Sequence, residues 1–227
     1  MITTVVFDLD DTLYDEIDYC RSGFRAAARF MAKVSDLRCT EDLSAAFWRH
    51  FTEGNRTETF NAALDELGIG YDEPLIAQLI EVYRTHRPDL RLPDDSRATL
   101  DTLKAKYTLA LLTDGFLPAQ RLKVQALGIE ADFKAIVYTE ALGRPCWKPS
   151  PVGFERLSAT LGVPLEQMVY VGDNAKKDFI APNQLGMLTV QVRRRAGLHT
   201  GPEPIPQAAA RIQAVRIADV PTILVRY

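Results

Sequence analysis

Short β-rich runs that alternate with helical stretches are the feature that most constrains the fold of this chain. The first run, Ile2–Leu9, is rich in Thr, Val and Phe and is continuous enough to be buried on both faces, as expected for a central strand of a parallel sheet. Later runs repeat the pattern at Thr108–Thr113, Ala135–Tyr138, Met168–Gly172 and Thr189–Val192. This alternation predicts an α/β fold with a Rossmann-like parallel sheet wound by crossover helices.

A long segment between the first and second runs has a different pattern. From about residue 14 to residue 92, apolar residues recur at helical spacing and no strand is indicated, which is typical of amphipathic helices. The helical segments are Arg21–Val34, Thr40–Phe51, Thr57–Leu67 and Pro74–Tyr83. The sequence therefore predicts an α/β core domain formed by residues 1–14 and 92–227, with an all-helical domain, residues 15–91, inserted into it.

Composition and charge exclude several classes of protein. Hydrophobic residues make up 47% of the 227 residues and charged residues 25%, which are ordinary values for a soluble globular protein. No apolar run reaches 18 residues and the opening segment is acidic, so we expect a cytoplasmic protein without membrane partners. The net charge of -3 provides no overall positive field for nucleic acid, and we interpret Arg193–Arg195 as a solvated strand end. The sequence gives no indication of an oligomeric state.

Three carboxylates, Asp8, Asp10 and Asp11, lie at the end of the first strand. Open α/β sheets bind ligands at the carboxyl ends of their strands, so this position favours a functional site. In an extended segment Asp8 and Asp10 point the same way, and two like charges about 4 Å apart repel by about 4 kcal/mol at an effective dielectric near 20. A divalent cation or a shared proton would relieve that repulsion. The alternative is that Asp11 and Thr12 cap the next helix while Asp8 and Asp10 are solvated.

Three later segments place polar side chains at the ends of strands or helices. They contribute Thr113-Asp114-Gly115 after the second strand, Lys148 before a proline-started helix, and Asp173 and Asp178 after the strand Met168–Gly172. A hydroxyl and the backbone N–H groups beside a glycine suit a phosphate oxygen at a strand-to-helix turn, and a lysine supplies a positive charge for phosphate. The later pair of carboxylates repeats the pattern that follows the first strand.

In this order, the four segments resemble the motifs of the haloacid dehalogenase (HAD) superfamily, in the phosphatase-like branch that carries a helical cap after the first motif. The resemblance covers the core from Ile2 to Tyr14 and from about Leu92 onward, and residues 14–92 are similar to the cap. It implies a phosphotransferase that works through an aspartyl phosphate and uses Mg²⁺ as its cofactor.

The same resemblance implies a role for each motif residue. Asp8 would be the nucleophile, and Asp10 would be the general acid and then the general base. Mg²⁺ would be held by the Asp8 carboxylate, the Asp10 backbone carbonyl and Asp173, with Asp178 behind these ligands. The phosphoryl group would be held by Thr113, the backbone of Asp114 and Gly115, and Lys148.

We therefore expect a Mg²⁺-dependent phosphatase that hydrolyses a small phosphorylated metabolite, such as a sugar phosphate or a nucleotide. A dehalogenase of the superfamily is not expected to keep an acid/base residue at the position of Asp10, and no cap lysine indicates a phosphonatase. A sugar phosphomutase, and a non-catalytic binding or regulatory protein that retains the fold, stay open. Arg21, Arg25 and Arg29 form a stripe on the first inserted helix, which is either a solvated face or a contact for an anionic part of the substrate.

Overall fold

The computed structural model describes residues 1–34, 40–198 and 205–227, and within them six parallel strands form one sheet. The strands are β1 (Thr4–Phe7), β2 (Thr108–Thr113), β3 (Ala135–Tyr138), β4 (Met168–Gly172), β5 (Leu188–Gln191) and β6 (Ile212–Gln213). Their order across the sheet is β3-β2-β1-β4-β5-β6. The predicted α/β fold with a Rossmann-like parallel sheet is confirmed. The first strand ends at Phe7, earlier than predicted, so Asp8 is the first residue of the loop that follows it.

Helices precede or follow each of the longer strands. They are α1 (Glu16–Val34), α2 (Thr40–Thr52), α3 (Thr59–Glu66), α4 (Glu73–Thr85), α5 (Asp94–Lys104), α6 (Ala119–Leu127), α7 (Val152–Leu161), α8 (Ile180–Gln184) and α9 (Val220–Leu224). The first helix begins at Glu16 rather than at the predicted Arg21, because the carboxylate of Asp11 accepts a hydrogen bond of 2.9 Å from the N–H of Glu16. Among the described residues, no helix is both long enough and apolar enough to cross a lipid bilayer.

The described chain divides into two compact units. One is formed by Met1–Ile17 and Arg91–Tyr227 and contains the sheet, and the other is formed by Asp18–Leu90. The second unit consists of α2, α3, α4 and most of α1. The all-helical character predicted for the inserted segment is therefore present in its described residues.

Aromatic side chains form the core of the helical unit. Phe24, Phe47 and Phe60 are buried, and the rings of Phe47 and Phe60 lie 4.9 Å apart at 88°, the edge-to-face arrangement that aromatic pairs favour. The ring of Phe24 lies 5.2 Å from that of Tyr83 on α4. These contacts give the helical unit a hydrophobic core of its own.

The central strand of the sheet determines where a site can form in the α/β unit. Val5, Val6 and Phe7 of β1 are completely buried, and Phe7 is in register with Leu111 of β2 and Val171 of β4. Because these parallel strands end at one edge of the sheet, the residues that follow β1, β2 and β4 come together there.

Candidate active site

Asp8 lies at this edge of the sheet in a buried position. Its N–H donates to the carbonyl of Val171 in β4 at 2.8 Å, which fixes the residue between two strands. The side chain is 5% exposed, and its Oδ1 accepts a hydrogen bond of 2.6 Å from Nζ of Lys148. The structure therefore brings the predicted nucleophile and the predicted phosphate-binding lysine into direct contact.

The Lys148 ammonium group joins three partners. Besides Asp8, it donates to Oδ1 of Asp178 at 2.8 Å and to the hydroxyl of Tyr170 at 2.8 Å. Burial alone would lower the pKa of Lys148, but the carboxylates of Asp178 and Asp8 raise it well above its ordinary value. The lysine is therefore a fixed positive charge. The sequence reasoning missed Tyr170, which looked like one more apolar residue of a buried strand.

Asp173 follows β4 directly and faces the same cluster. Burial, reinforced by the negative charges of Asp178 and Asp8, raises the pKa of Asp173 to about 9. Burial also raises the pKa of Asp8 to about 7, against the opposing effect of Lys148. A nearby cation would favour the ionised forms of both carboxylates.

The carboxylates of this cluster fit a divalent cation. Asp8, Asp173 and Asp178 are all buried, and they offer ligand oxygens that lie within 4.8 Å of one another. Mg²⁺ prefers oxygen ligands of this kind. Both oxygens of Asp178 already accept hydrogen bonds, one from Lys148 and one of 2.8 Å from the N–H of Asn174. Asp8 and Asp173 are therefore better suited to give oxygens to a cation, with Asp178 orienting Lys148 behind them.

The Asp10 carboxylate makes a different set of contacts. Its Oδ1 accepts hydrogen bonds from Nζ of Lys123 at 2.8 Å and from the hydroxyl of Tyr14 at 2.5 Å. Its Oδ2 accepts one from Nε2 of Gln120 at 2.8 Å. Burial opposes ionisation, but Lys123 and the hydrogen bonds outweigh it, so the pKa of Asp10 lies below its ordinary value. The two aspartates of the first motif are thus in opposite electrostatic environments.

Sequence reasoning missed Gln120 and Lys123, which lie one turn apart on α6 and are 2% and 3% exposed. The signal that could have found them is their spacing of three residues, which places both on one face of the helix that follows the Thr113 motif. The amide of Gln120 also donates to Oγ1 of Thr113 at 2.6 Å, so it links Asp10 to that motif.

The side chain of Asp114 holds neighbouring segments together. It accepts hydrogen bonds from Oγ1 of Thr139 at 2.8 Å and from the N–H of Lys148 at 3.2 Å, and Nζ of Lys177 lies 3.3 Å away. The Asp114 carboxylate therefore holds the loop that carries Lys148. The phosphate-binding role predicted for Asp114 concerns its backbone and not this side chain. Gly115 has a φ of 141°, where a Cβ would lie 2.7 Å from the side chain of Gln120.

The contacts of the first motif resolve the alternative considered for it, and Oγ1 of Thr12 donates to Oδ1 of Asp173 at 3.4 Å. Asp11 accepts hydrogen bonds from the N–H groups of Glu16 at 2.9 Å and Leu198 at 2.6 Å, so it does cap α1. Asp8 and Asp10, however, are enclosed by Lys148 and by Lys123 rather than solvated. The expected helix cap is therefore right for Asp11, and the expectation that Asp8 and Asp10 are solvated is wrong.

Arg194 differs from the solvated strand end predicted for the arginine run. Its side chain is 10% exposed, and its guanidinium donates to the carbonyls of Thr12 at 3.0 Å and Leu13 at 2.8 Å. It holds the loop that carries the first motif. Arg193 and Arg195, on either side of it, are exposed as predicted.

A family model described as haloacid dehalogenase-like hydrolase matches residues 2–186, most of the chain. The chain belongs to this HAD-like hydrolase family. The family and the hydrolase class predicted from the four segments are thereby confirmed.

This HAD-like hydrolase is similar over most of its length to several phosphatases. It is 32% identical over 203 residues to a glyceraldehyde 3-phosphate phosphatase from Methanopyrus kandleri, which covers 86% of this chain and 85% of the relative. It is 26% identical over 223 residues to the N-acylneuraminate-9-phosphatase of Rattus norvegicus, covering 90% and 88%.

Solved structures share the fold of this HAD-like hydrolase. A 2-haloacid dehalogenase from Pseudomonas syringae superposes with a TM-score of 0.66 at 24% identity, covering 100% of this chain and 99% of that one. A HAD phosphatase from Thermococcus onnurineus gives a TM-score of 0.63 at 20% identity, covering 98% of both chains. Because the same fold is found in a dehalogenase and in a phosphatase, the fold does not identify the reaction, and the residues of the site have to be used instead.

Proposed function

We propose that this HAD-like hydrolase is a Mg²⁺-dependent phosphatase of small phosphorylated metabolites, with Asp8 as its nucleophile. The observation that carries the proposal is the pairing of a buried Asp8, bonded to Lys148 at 2.6 Å, with an Asp10 whose two oxygens are held by Lys123, Tyr14 and Gln120. A reaction in which Asp8 only displaces a leaving group, with no proton transfer to that group, would need the buried Asp8 and Lys148 but not Asp10. A fixed second carboxyl is what an ester demands, because its leaving oxygen must be protonated.

The proposed reaction proceeds in two displacements. An oxygen of Asp8 attacks phosphorus, and the bond from phosphorus to the ester oxygen breaks as that oxygen takes a proton from Asp10. Asp10 then accepts a proton from water as the water attacks the aspartyl phosphate, which releases inorganic phosphate and frees Asp8. Bound Mg²⁺ would neutralise charge between the phosphate and the carboxylates of Asp8 and Asp173.

The ionisation of Asp10 fits this sequence once the substrate is considered. Lys123 favours its carboxylate form, which is the form that activates water. A phosphate dianion beside it would raise the pKa of Asp10, since a like charge disfavours ionisation. Asp10 thus gains its proton as the substrate binds and returns to the carboxylate form after the first displacement.

The relatives suggest the class of substrate. Their names specify glyceraldehyde 3-phosphate, N-acylneuraminate 9-phosphate and ribulose 1,5-bisphosphate, all of them phosphorylated sugars or sugar acids. We propose a substrate of this class, with the helical unit acting as a cap that selects it. The predicted domain boundaries, 1–14 with 92–227 and 15–91, belong to this proposal.

The test is release of inorganic phosphate from these three compounds and from p-nitrophenyl phosphate, with Mg²⁺ and with EDTA. We expect turnover with Mg²⁺ only, fastest on one of the sugar phosphates.

Asp8→Asn keeps the volume of the side chain and removes the attacking anion, so it should reduce turnover to background. Asp101→Asn is the matched control, because Asp101 lies on the surface of α5 with a side chain 49% exposed. Activity that persists in EDTA or in Asp8→Asn would contradict the proposal, and conversion to an isomeric phosphate without phosphate release would indicate a mutase.

A further inference from the structure

Lys123 is a buried lysine outside the cluster around Asp8. Its side chain is 4% exposed, and its ammonium lies 2.8 Å from Oδ1 of Asp10 and 3.7 Å from Oε1 of Glu16. Burial of an ammonium group is unfavourable unless paired charges and hydrogen bonds compensate. A salt bridge made only for stability could lie anywhere in the core, whereas this one ends on the carboxylate proposed to transfer the protons.

The hydrogen bonds on Asp10 are distributed unequally between its two oxygens. A carboxylate oxygen accepts about two hydrogen bonds. Oδ1 has two donors, Lys123 and Tyr14, and Oδ2 has one, Gln120. The remaining acceptor site of the carboxylate is therefore on Oδ2. Turning the carboxyl plane of Asp10 to exchange the two oxygens would break these three hydrogen bonds.

We propose that Lys123 is a positioning residue for the proton transfers of the phosphatase reaction, an inference that rests on the function proposed above. Together with Tyr14 it occupies Oδ1 of Asp10 and so makes Oδ2 the oxygen that carries the proton. When the bond from phosphorus to the ester oxygen breaks, its electron pair stays on the ester oxygen, which takes the proton from Oδ2. In the second displacement the proton of the attacking water returns to Oδ2, while the bond between phosphorus and Asp8 breaks.

Lys123→Met tests this role, because methionine has a similar length and volume but donates no hydrogen bond. With p-nitrophenyl phosphate the leaving group needs little protonation, so the variant should still release a burst of one p-nitrophenol per site at close to the wild-type rate. The steady state after the burst needs Asp10 as a base and should fall by about 10²-fold. With an alkyl sugar phosphate the first displacement also needs the proton of Asp10, because the leaving oxygen is more basic. The variant should therefore release no burst of the dephosphorylated sugar. KM should change little for either substrate.

Two further variants separate positioning from folding. Tyr14→Phe removes one hydrogen bond to Oδ1 and keeps the ring, so it should show the same signature with a smaller loss. Lys134→Met is the matched control, since Lys134 is exposed, and it should behave as wild type. A p-nitrophenol burst lost in both Lys123→Met and Tyr14→Phe, or steady-state rates unchanged in both, would overturn the positioning role. A wild-type protein with neither burst nor turnover would instead contradict the proposed function itself.

Discussion

Asp8 and Asp10 are two residues apart in the chain, and their surroundings push their pKa values in opposite directions. Burial raises the pKa of Asp8 to about 7, while Lys123 and its neighbours lower that of Asp10. Separated pKa values are how enzyme sites divide roles between two carboxyls, but in the metal-free protein they run opposite to the proposed roles, because a nucleophile has to be ionised and a general acid protonated. A bound cation would lower the pKa of Asp8, and a phosphate dianion would raise that of Asp10. Each aspartate also meets a different lysine: Lys148 contacts Asp178 at 2.8 Å besides Asp8, and Lys123 lies 2.8 Å from Asp10 and 3.7 Å from Glu16.

Asp10→Asn should differ in kind from Asp8→Asn. The nucleophile is retained and only proton transfer is lost, so we expect kcat for a sugar phosphate to fall by about 10²–10⁴-fold. Quenched-flow detection of the acid-stable phosphoprotein should show that p-nitrophenyl phosphate still phosphorylates the variant. If Asp10→Asn turned over sugar phosphates at the wild-type rate, Asp10 would have no acid/base role.

Three elements hold the loop after β1, and two of them are distant from it in sequence. Asp11 caps α1 from outside that helix, and Arg194 reaches the same loop from the end of β5. Ser96 at the start of α5 donates to the carbonyl of Leu13 at 2.6 Å. The loop that carries Asp8 and Asp10 is therefore fixed by three elements besides its own strand.

The sequence predicted the strands and helices well, and it predicted less well the side chains that hold the site residues in place. β2, β3 and β4 have the predicted bounds, because continuous apolar runs between turn signals are a local property of the chain. Lys123 was not singled out, and Arg194 was predicted to be solvated, because a charged residue on a helix, or after a strand, has the same local pattern whether water or a buried polar group faces it. Only the strand order brings α6 to Asp10 and the end of β5 to the first motif.

Arg194→Met should destabilise the protein through this loop. The change leaves the carbonyls of Thr12 and Leu13 without their guanidinium donor, and a lost buried hydrogen-bond partner costs about 1–3 kcal/mol. Each kcal/mol lowers Tm by roughly 2–4 °C for a chain of this size. Arg193→Met, one residue away and exposed, should leave Tm nearly unchanged, and equal Tm values for the two variants would show that Arg194 does not hold the loop.

At the scale of the whole molecule, the buried carboxylates link the free energy of unfolding to proton binding and to metal binding. Asp8 and Asp173 have ordinary pKa values of 3.8 and Glu16 has one of 4.5, and in the folded protein these rise to about 7, about 9 and about 7. Between about pH 4 and pH 9 the folded state therefore binds more protons than the unfolded state. The free energy of unfolding then falls as pH rises, because its slope with pH has the sign of protons bound unfolded minus protons bound folded. Asp10 and Asp178 have lowered pKa values and act in the opposite direction, but only near and below pH 4.

Mg²⁺ should reverse this pH dependence. It binds the ionised carboxylates and so competes with protons, which means that its affinity should increase from pH 6 to pH 9 while the metal-free protein becomes less stable. Saturation at a hundredfold excess over Kd stabilises the folded state by about 2.7 kcal/mol, a rise in Tm of roughly 5–10 °C. Thermal melts with EDTA and with Mg²⁺ at several pH values measure both trends. Asp173→Asn removes one of the three titrating groups and a proposed ligand, so it should weaken the metal-free pH dependence and abolish most of the Mg²⁺ response, whereas Asp101→Asn should preserve both. A metal-free Tm that rises between pH 6 and pH 9, or a Mg²⁺ response equal at both ends of that range, would show that these carboxylates do not link metal binding to stability.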